Sequence, residues 1–173
     1  MAKKALTWLG YAAIIAAILF FLAPESWWQF GVTPVAKRPA AASFQMKTLA
    51  GDEWNISDHR GKVVVVNYWA TWCGPCRVEM PGLVRFAGEF ANKGVEMIGV
   101  TMDEDTSVVP PFVKDYSINY PIALPNYDAV PDAQGFPLPT TMLYDKSGRL
   151  AKRYTGIVLE STLRSDTELL LAE

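Results

Sequence analysis

The chain has two cysteines, a single histidine and no internal repeat or low-complexity tract in its 173 residues. Each scarcity excludes something. A small fold stapled by disulfides carries more cysteines, spread along the chain, whereas both of these fall in one tetrapeptide, Cys73-Gly74-Pro75-Cys76. A structural zinc site takes about four Cys or His ligands, which two cysteines and His59 cannot complete within one copy. Excess positive charge is missing too. Beyond Lys3 and Lys4 the remaining 14 basic side chains face 18 acidic ones, a balance that gives no reason to expect nucleic acid as a partner. Half the residues are hydrophobic and a fifth are charged, which suits one globular domain with some chain left over.

The surplus lies at the N-terminus. Ala5–Ala23 carries no charge, and nineteen helical residues reach about 28 Å, close to the hydrocarbon thickness of a bilayer. A cleaved signal has a shorter apolar region and a small-x-small site after it, and none follows in Phe20–Glu25. Ala40-Ala41-Ala42 fits such a site but lies too far downstream. Residues 1–23 are therefore expected to be an uncleaved transmembrane anchor. Lys3 and Lys4 keep its start in the cytoplasm, which puts the rest of the chain outside. Trp27 and Trp28 suit either the outer headgroup level or a plain loop. Residues 24–43, rich in proline and alanine without helical or strand period, read as a linker, and 44–173 as the folded domain.

Within that domain Phe44–Leu49 and Trp54–Ile56 form a short hairpin around Ala50–Glu53. His59 falls in a polar break, where a solvated role is expected. Val63–Trp69 is a continuous apolar run of the kind buried on both faces of a sheet. A helix follows over 74–92, closed by Gly94, and Val95–Thr101 is a second buried strand. Strand–helix–strand implies parallel pairing with a right-handed crossover. The spacing predicts a helix over 106–116, with Pro110 and Pro111 in its first turn, a short strand over 118–124 and an irregular stretch to 136. A hairpin over 141–145 and 149–154 and a last helix over 159–171 complete the domain. A β–α–β half followed by a β–β–α half is the order of the thioredoxin fold, an α/β arrangement with a central mixed sheet between helices.

The cysteine pair falls where a buried strand gives way to a helix, and the placement has chemical consequences. Side chains three apart on a helix are neighbours, and a first turn adjusts far enough to bring two sulfurs to bonding distance. That turn also presents unpaired N–H groups and partial positive charge, which favour the thiolate, the nucleophilic form of cysteine. Pro75 sits where its missing N–H does little harm. Cys73, at the helix start, is expected to attack a substrate disulfide, and Cys76, one turn in, to resolve the mixed disulfide. A purely stabilising bridge is the alternative, and closing so short a loop constrains the unfolded chain little.

The run Gly61-Lys62 through Asn67-Tyr68-Trp69-Ala70-Thr71-Trp72-Cys73-Gly74-Pro75-Cys76-Arg77-Val78-Glu79-Met80-Pro81 resembles the TlpA/ResA-like branch of membrane-anchored thioredoxin-fold reductases. Pro139-Thr140-Thr141-Met142-Leu143-Tyr144-Asp145 is similar to that branch's cis-proline loop and strand. The resemblance covers roughly 44–172. It implies that Pro139 is the cis-proline beside the sulfurs, chosen over the competing Pro137 by the strand that immediately follows it, and that the Leu138 backbone pairs with an extended substrate. Trp72, Gly74 and Pro75 belong to the same substrate-meeting surface. Glu79 matches the family's acidic residue, with catalytic proton exchange to Cys76 or a plain solvated carboxylate as the two readings. Asn67 stands where cytoplasmic thioredoxins carry a buried aspartate. Trp69 and Trp72 are expected around the sulfurs, with plain core as the other reading of Trp69.

The function implied is reduction of disulfides in exported proteins, with cytochrome c maturation or metal-site assembly among the clients. Electrons would come from a membrane carrier of the DsbD or CcdA type. The protein is expected to act as a monomer with no cofactor beyond the Cys73–Cys76 disulfide. An oxidase or isomerase, a copper-binding assembly factor and a non-catalytic docking module are the competing readings.

Overall fold

The structure, a computed structural model, describes residues 31–173. The expected anchor, Ala5–Ala23, lies outside them. Among the described residues no helix is long and apolar enough to cross a membrane.

The expected order of elements is present. A two-stranded antiparallel ribbon, β1 (Gln45–Lys47) and β2 (Glu53–Asn55), pairs Met46 with Trp54. The main sheet follows, with β3 (Val63–Trp69), β4 (Val95–Thr101), β5 (Ile122–Ala123), β6 (Thr140–Tyr144) and β7 (Leu150–Thr155). Its order is β5-β4-β3-β6-β7. β3 is parallel to β4 and antiparallel to β6, so the sheet is mixed and β3 lies at its centre. Helix α1 (Gly74–Phe90) makes the crossover from β3 to β4, α2 (Val109–Asp115) lies between β4 and β5, and α3 (Glu160–Ala172) ends the chain.

Every residue of β3 is buried, and strand alternation divides them between two cores. Val63, Val65 and Trp69 pack in one cluster with Met80, Leu83 and Phe86 of α1 and Leu163 and Leu170 of α3. Val64, Val66 and Tyr68 pack in the other with Phe44, Met46 and Trp54. Asn67 has the parity of the first set. It is the one polar side chain that β3 directs toward α1.

Several boundaries differ from the sequence reading, for identifiable reasons. The helix expected to Asn92 stops at Phe90, and Asn92 and Gly94 take φ of 63° and 77° to turn the chain into β4. The helix expected over 106–116 is a 3-10 turn, Thr106–Val108, followed by α2, whose first turn holds Pro110 and Pro111. The strand expected over 118–124 shrinks to Ile122–Ala123, since Ser117 has φ of 53° and Pro121 has no N–H to give a ladder.

The described part of the expected linker, 31–43, is tied to the domain. Thr33 N–H donates to the Ala151 carbonyl at 2.8 Å and Ala42 N–H to the Gly148 carbonyl at 2.8 Å. The Arg38 side chain is fully buried and pairs with Asp145 at 2.8 Å and with Glu173 at 2.6 Å. The compact unit begins at Gly31. His59, expected in solvent, stacks on Trp54 with ring centroids 4.8 Å apart and faces Glu96 at 3.4 Å.

Candidate active site

The chain leaves the carboxyl end of the central strand β3, and Cys73 N-caps α1. Its sulfur is bonded to that of Cys76, with an S–S distance of 2.06 Å and the two Cα atoms 5.3 Å apart. The Cys76 N–H points at Cys73 Sγ from 3.2 Å. It is one of the first-turn donors that a helix leaves without an internal partner. When the disulfide opens, that N–H and the helix dipole favour negative charge on Cys73. Cys73 is 4% exposed and borders a groove of about 680 Å³ that Cys76 does not line. Cys76 is wholly buried. An incoming disulfide therefore meets Cys73 first.

Trp72, Gly74, Pro75 and Leu138 line the same groove, as do Met102, Tyr127 and Phe136. The peptide bond Leu138–Pro139 is cis, which settles the competition between Pro137 and Pro139. Around it, the Thr140 hydroxyl donates to the Pro137 carbonyl at 2.7 Å and the Gly156 N–H to the Pro139 carbonyl at 2.8 Å. Among the described residues the Leu138 N–H and carbonyl have no partner. They are free to pair with an added strand.

The two tryptophans part company. Trp69 is fully buried and stacks on Phe112 at 4.9 Å, so it belongs to the core beneath the sulfurs. Trp72 is 70% exposed and lines the groove beside Cys73. An indole left largely in water forgoes about 2 kcal/mol of burial, a cost that contact with a partner would offset.

Glu79 lies one turn beyond Cys76 on the same face of α1 and is buried, with 4% exposure. Its two oxygens accept from Asn67 Nδ2 at 2.9 Å and from the Val158 N–H at 3.0 Å. Burial, only partly opposed by these two donors, pushes its carboxyl up to about 7. A group of that pKa exchanges protons readily near neutrality. The Asn67 amide also donates to Thr141 Oγ1 at 2.9 Å. The sequence marked Asn67 as a missing base, but its part as a donor to Glu79 went unread. The signal was its parity with Val63, Val65 and Trp69. Thr71 and Asp103, bonded to each other at 2.6 Å beside the dithiol, gave no sequence signal. Among the described residues no three His, Cys, Asp or Glu side chains are grouped to hold a metal ion.

Residues 38–165 match the AhpC/TSA family. The curated thiol-disulfide oxidoreductase ResA of Geobacillus thermodenitrificans is 36% identical over 137 residues, 79% of each chain. A thiol:disulfide interchange protein of Chlorobium tepidum superposes with a TM-score of 0.71 at 26% identity, over 80% of this chain and 99% of its own. A secreted thiol-disulfide isomerase of Corynebacterium glutamicum gives a TM-score of 0.74 at 26% identity, over 82% and 91%. With a disulfide at the head of α1 in a mixed sheet of this order, the chain belongs to the AhpC/TSA family of thioredoxin-fold proteins and is a thiol-disulfide oxidoreductase.

Proposed function

We propose that the protein is an extracytoplasmic reductase of disulfides in exported proteins, held at the membrane by residues 1–23. The observation that carries the reading is the inequality of the two sulfurs: Cys73 caps α1 and borders the groove, while Cys76 is sealed beneath it. The Cys73 thiolate attacks one sulfur of a substrate disulfide, forming a mixed disulfide and releasing a substrate thiolate. Cys76 then loses its proton to Glu79 and attacks Cys73 Sγ, which re-forms the Cys73–Cys76 bond and releases the second substrate thiolate. Two electrons pass to the substrate, and two protons complete its thiols, one of them through Glu79. The substrate chain lies extended along the Leu138 backbone beside Pro139, with Trp72, Gly74 and Pro75 forming the rest of its seat.

A membrane electron carrier of the DsbD or CcdA type restores the dithiol. Cytochrome c maturation and metal-site assembly supply the clients. Retention in membranes through a carbonate wash, with the domain open to protease from the outer side, tests the anchor. Electron flow toward substrate requires a low potential. The domain is expected near the roughly −270 mV of reducing thioredoxins, and a value near the roughly −120 mV of strong oxidants would reverse the direction. The likeness to a secreted isomerase favours a second reading, disulfide reshuffling. Recovery of a scrambled substrate without net reduction would select it.

A further inference from the structure

Three residues, Ala70–Trp72, separate β3 from Cys73, and the middle one is bonded at every polar atom it has. The Thr71 N–H donates to Asp103 Oδ2 at 2.9 Å, and its hydroxyl donates to Asp103 Oδ1 at 2.6 Å. The Thr71 carbonyl accepts from Arg77 Nε at 2.9 Å. Asp103 is buried, 7% exposed, and its Oδ2 also accepts from the Thr101 hydroxyl at 2.7 Å. The Met102 N–H donates to the Trp69 carbonyl at 2.7 Å. The β4 chain thus runs on past the end of β3 and grips its neighbour two residues before the dithiol. Arg77, in the first turns of α1, reaches back to the same residue from the helix side, its guanidinium 5.8 Å from the Phe112 ring.

We propose that Thr71, Asp103 and Arg77 are positioning residues, a clamp that keeps the Cys73 sulfur over the first turn of α1 once the disulfide is open. In the oxidised protein the S–S bond itself fixes Cys73 Sγ against the Cys76 N–H. Reduction removes that covalent constraint, and the sulfur is then held by the Cys76 N–H, by the Cys73 backbone bonds to Ala70 and Arg77, and by the loop Ala70–Trp72 that leads into them. The stabilisation that a helix start gives an anion is confined to its first turn, so drift of the sulfur lowers the thiolate fraction. A loop residue bonded from both the strand and the helix resists that drift. The inference rests on Cys73 being the attacking sulfur, and the test separates the two.

The pH dependence of iodoacetamide alkylation would be measured on the full chain in a Cys76→Ser background, where Cys73 is the sole thiol. The parent is expected to titrate below the ordinary thiol value of about 8.5. Thr71→Val keeps the shape and the Asp103 charge but loses a bond, and the Cys73 pKa is expected to rise by about half a unit. Thr71→Ser retains the hydroxyl and is expected to follow the parent. Arg77→Lys retains the charge on an exposed side chain but loses the Nε–H, and a smaller rise is expected. That variant serves should Thr71→Val fail to fold. A parent curve at about 8.5 or above would overturn the assignment of Cys73, and the clamp with it. A low parent curve unmoved by Thr71→Val and Arg77→Lys, or a rise that Thr71→Ser does not prevent, would overturn the clamp alone.

Discussion

Two buried carboxylates sit near opposite ends of β6, and the protein treats them in opposite ways. Glu79 reaches the first end through Asn67, whose amide bridges it to Thr141. Both of its own donors, the Asn67 amide and the Val158 N–H, are neutral. Asp145 follows the other end and accepts from Arg38 Nη1 at 2.8 Å and Arg149 Nε at 2.9 Å, and from the N–H groups of Ser147 and Arg149. Burial raises the pKa of both. At Glu79 it prevails and the carboxyl is pushed up to about 7. At Asp145 the Arg149 N–H and the Arg38 and Arg149 guanidiniums outweigh it, and the pKa stays below the usual range. Neutral donors leave a buried acid able to titrate, while cations fix its charge. The first kind of site stands beside the dithiol, and the second fastens the residues before β1 to the far end of the sheet.

Breaking the fixed site should have the largest effect. Arg38→Ala leaves Asp145 buried with half its cationic partners and frees Glu173, and truncating one member of such a pair costs about 3–5 kcal/mol. Urea unfolding at pH 7 would measure the loss, with little change in the thiol titration expected. A substantial change in the thiols would mean that the two ends are not independent.

Glu79→Gln tests the titratable site. Its pKa is raised on folding from 4.5 to about 7, so the folded state binds the proton more tightly. The stability it contributes is fully present below about pH 4.5 and is lost as pH rises through about 7, a fall of about 3 kcal/mol. Unfolding measured from pH 4 to pH 8 should show that fall in the parent and not in Glu79→Gln. Removing a neighbouring negative charge also favours thiolate, so the apparent pKa of at least one active-site thiol should drop. An unchanged thiol titration would limit Glu79 to a structural part. Asn67→Ala should have the smallest effect. Loss of one donor to the carboxylate raises the Glu79 pKa by about one unit, readable as an upward displacement of the same stability window. A fall instead would mean that the amide does not favour the ionised form.

What the sequence showed, and what it hid, follows the range of the interactions. Strand β3, helix α1 and the Cys73–Cys76 pair were legible because each depends on neighbours within one run of residues. The Pro139 turn was legible once the strand after it was read. Arg38 was not, since its partner Asp145 lies 107 positions away and an arginine in a proline- and alanine-rich stretch looks solvated. Glu79 was legible as a candidate proton-exchanging acid, but its burial, which raises its pKa, and its two donors, 12 and 79 positions distant, were not. The bonds of Thr71 were hidden as well, since Asp103 lies 32 positions away. The shortness of β5 reflects Pro121, and that signal was local but underweighted.

Trapping tests the central claim, that Cys73 attacks and Cys76 resolves, most directly. Each single variant, Cys73→Ser and Cys76→Ser, would be reduced, presented with an excess of a disulfide-bonded peptide, and assayed by mass for the covalent adduct. The account predicts that Cys76→Ser accumulates the mixed disulfide through Cys73, while Cys73→Ser, its remaining sulfur wholly buried, forms little or none. Equal accumulation in both variants, or preferential trapping through Cys76, would contradict it.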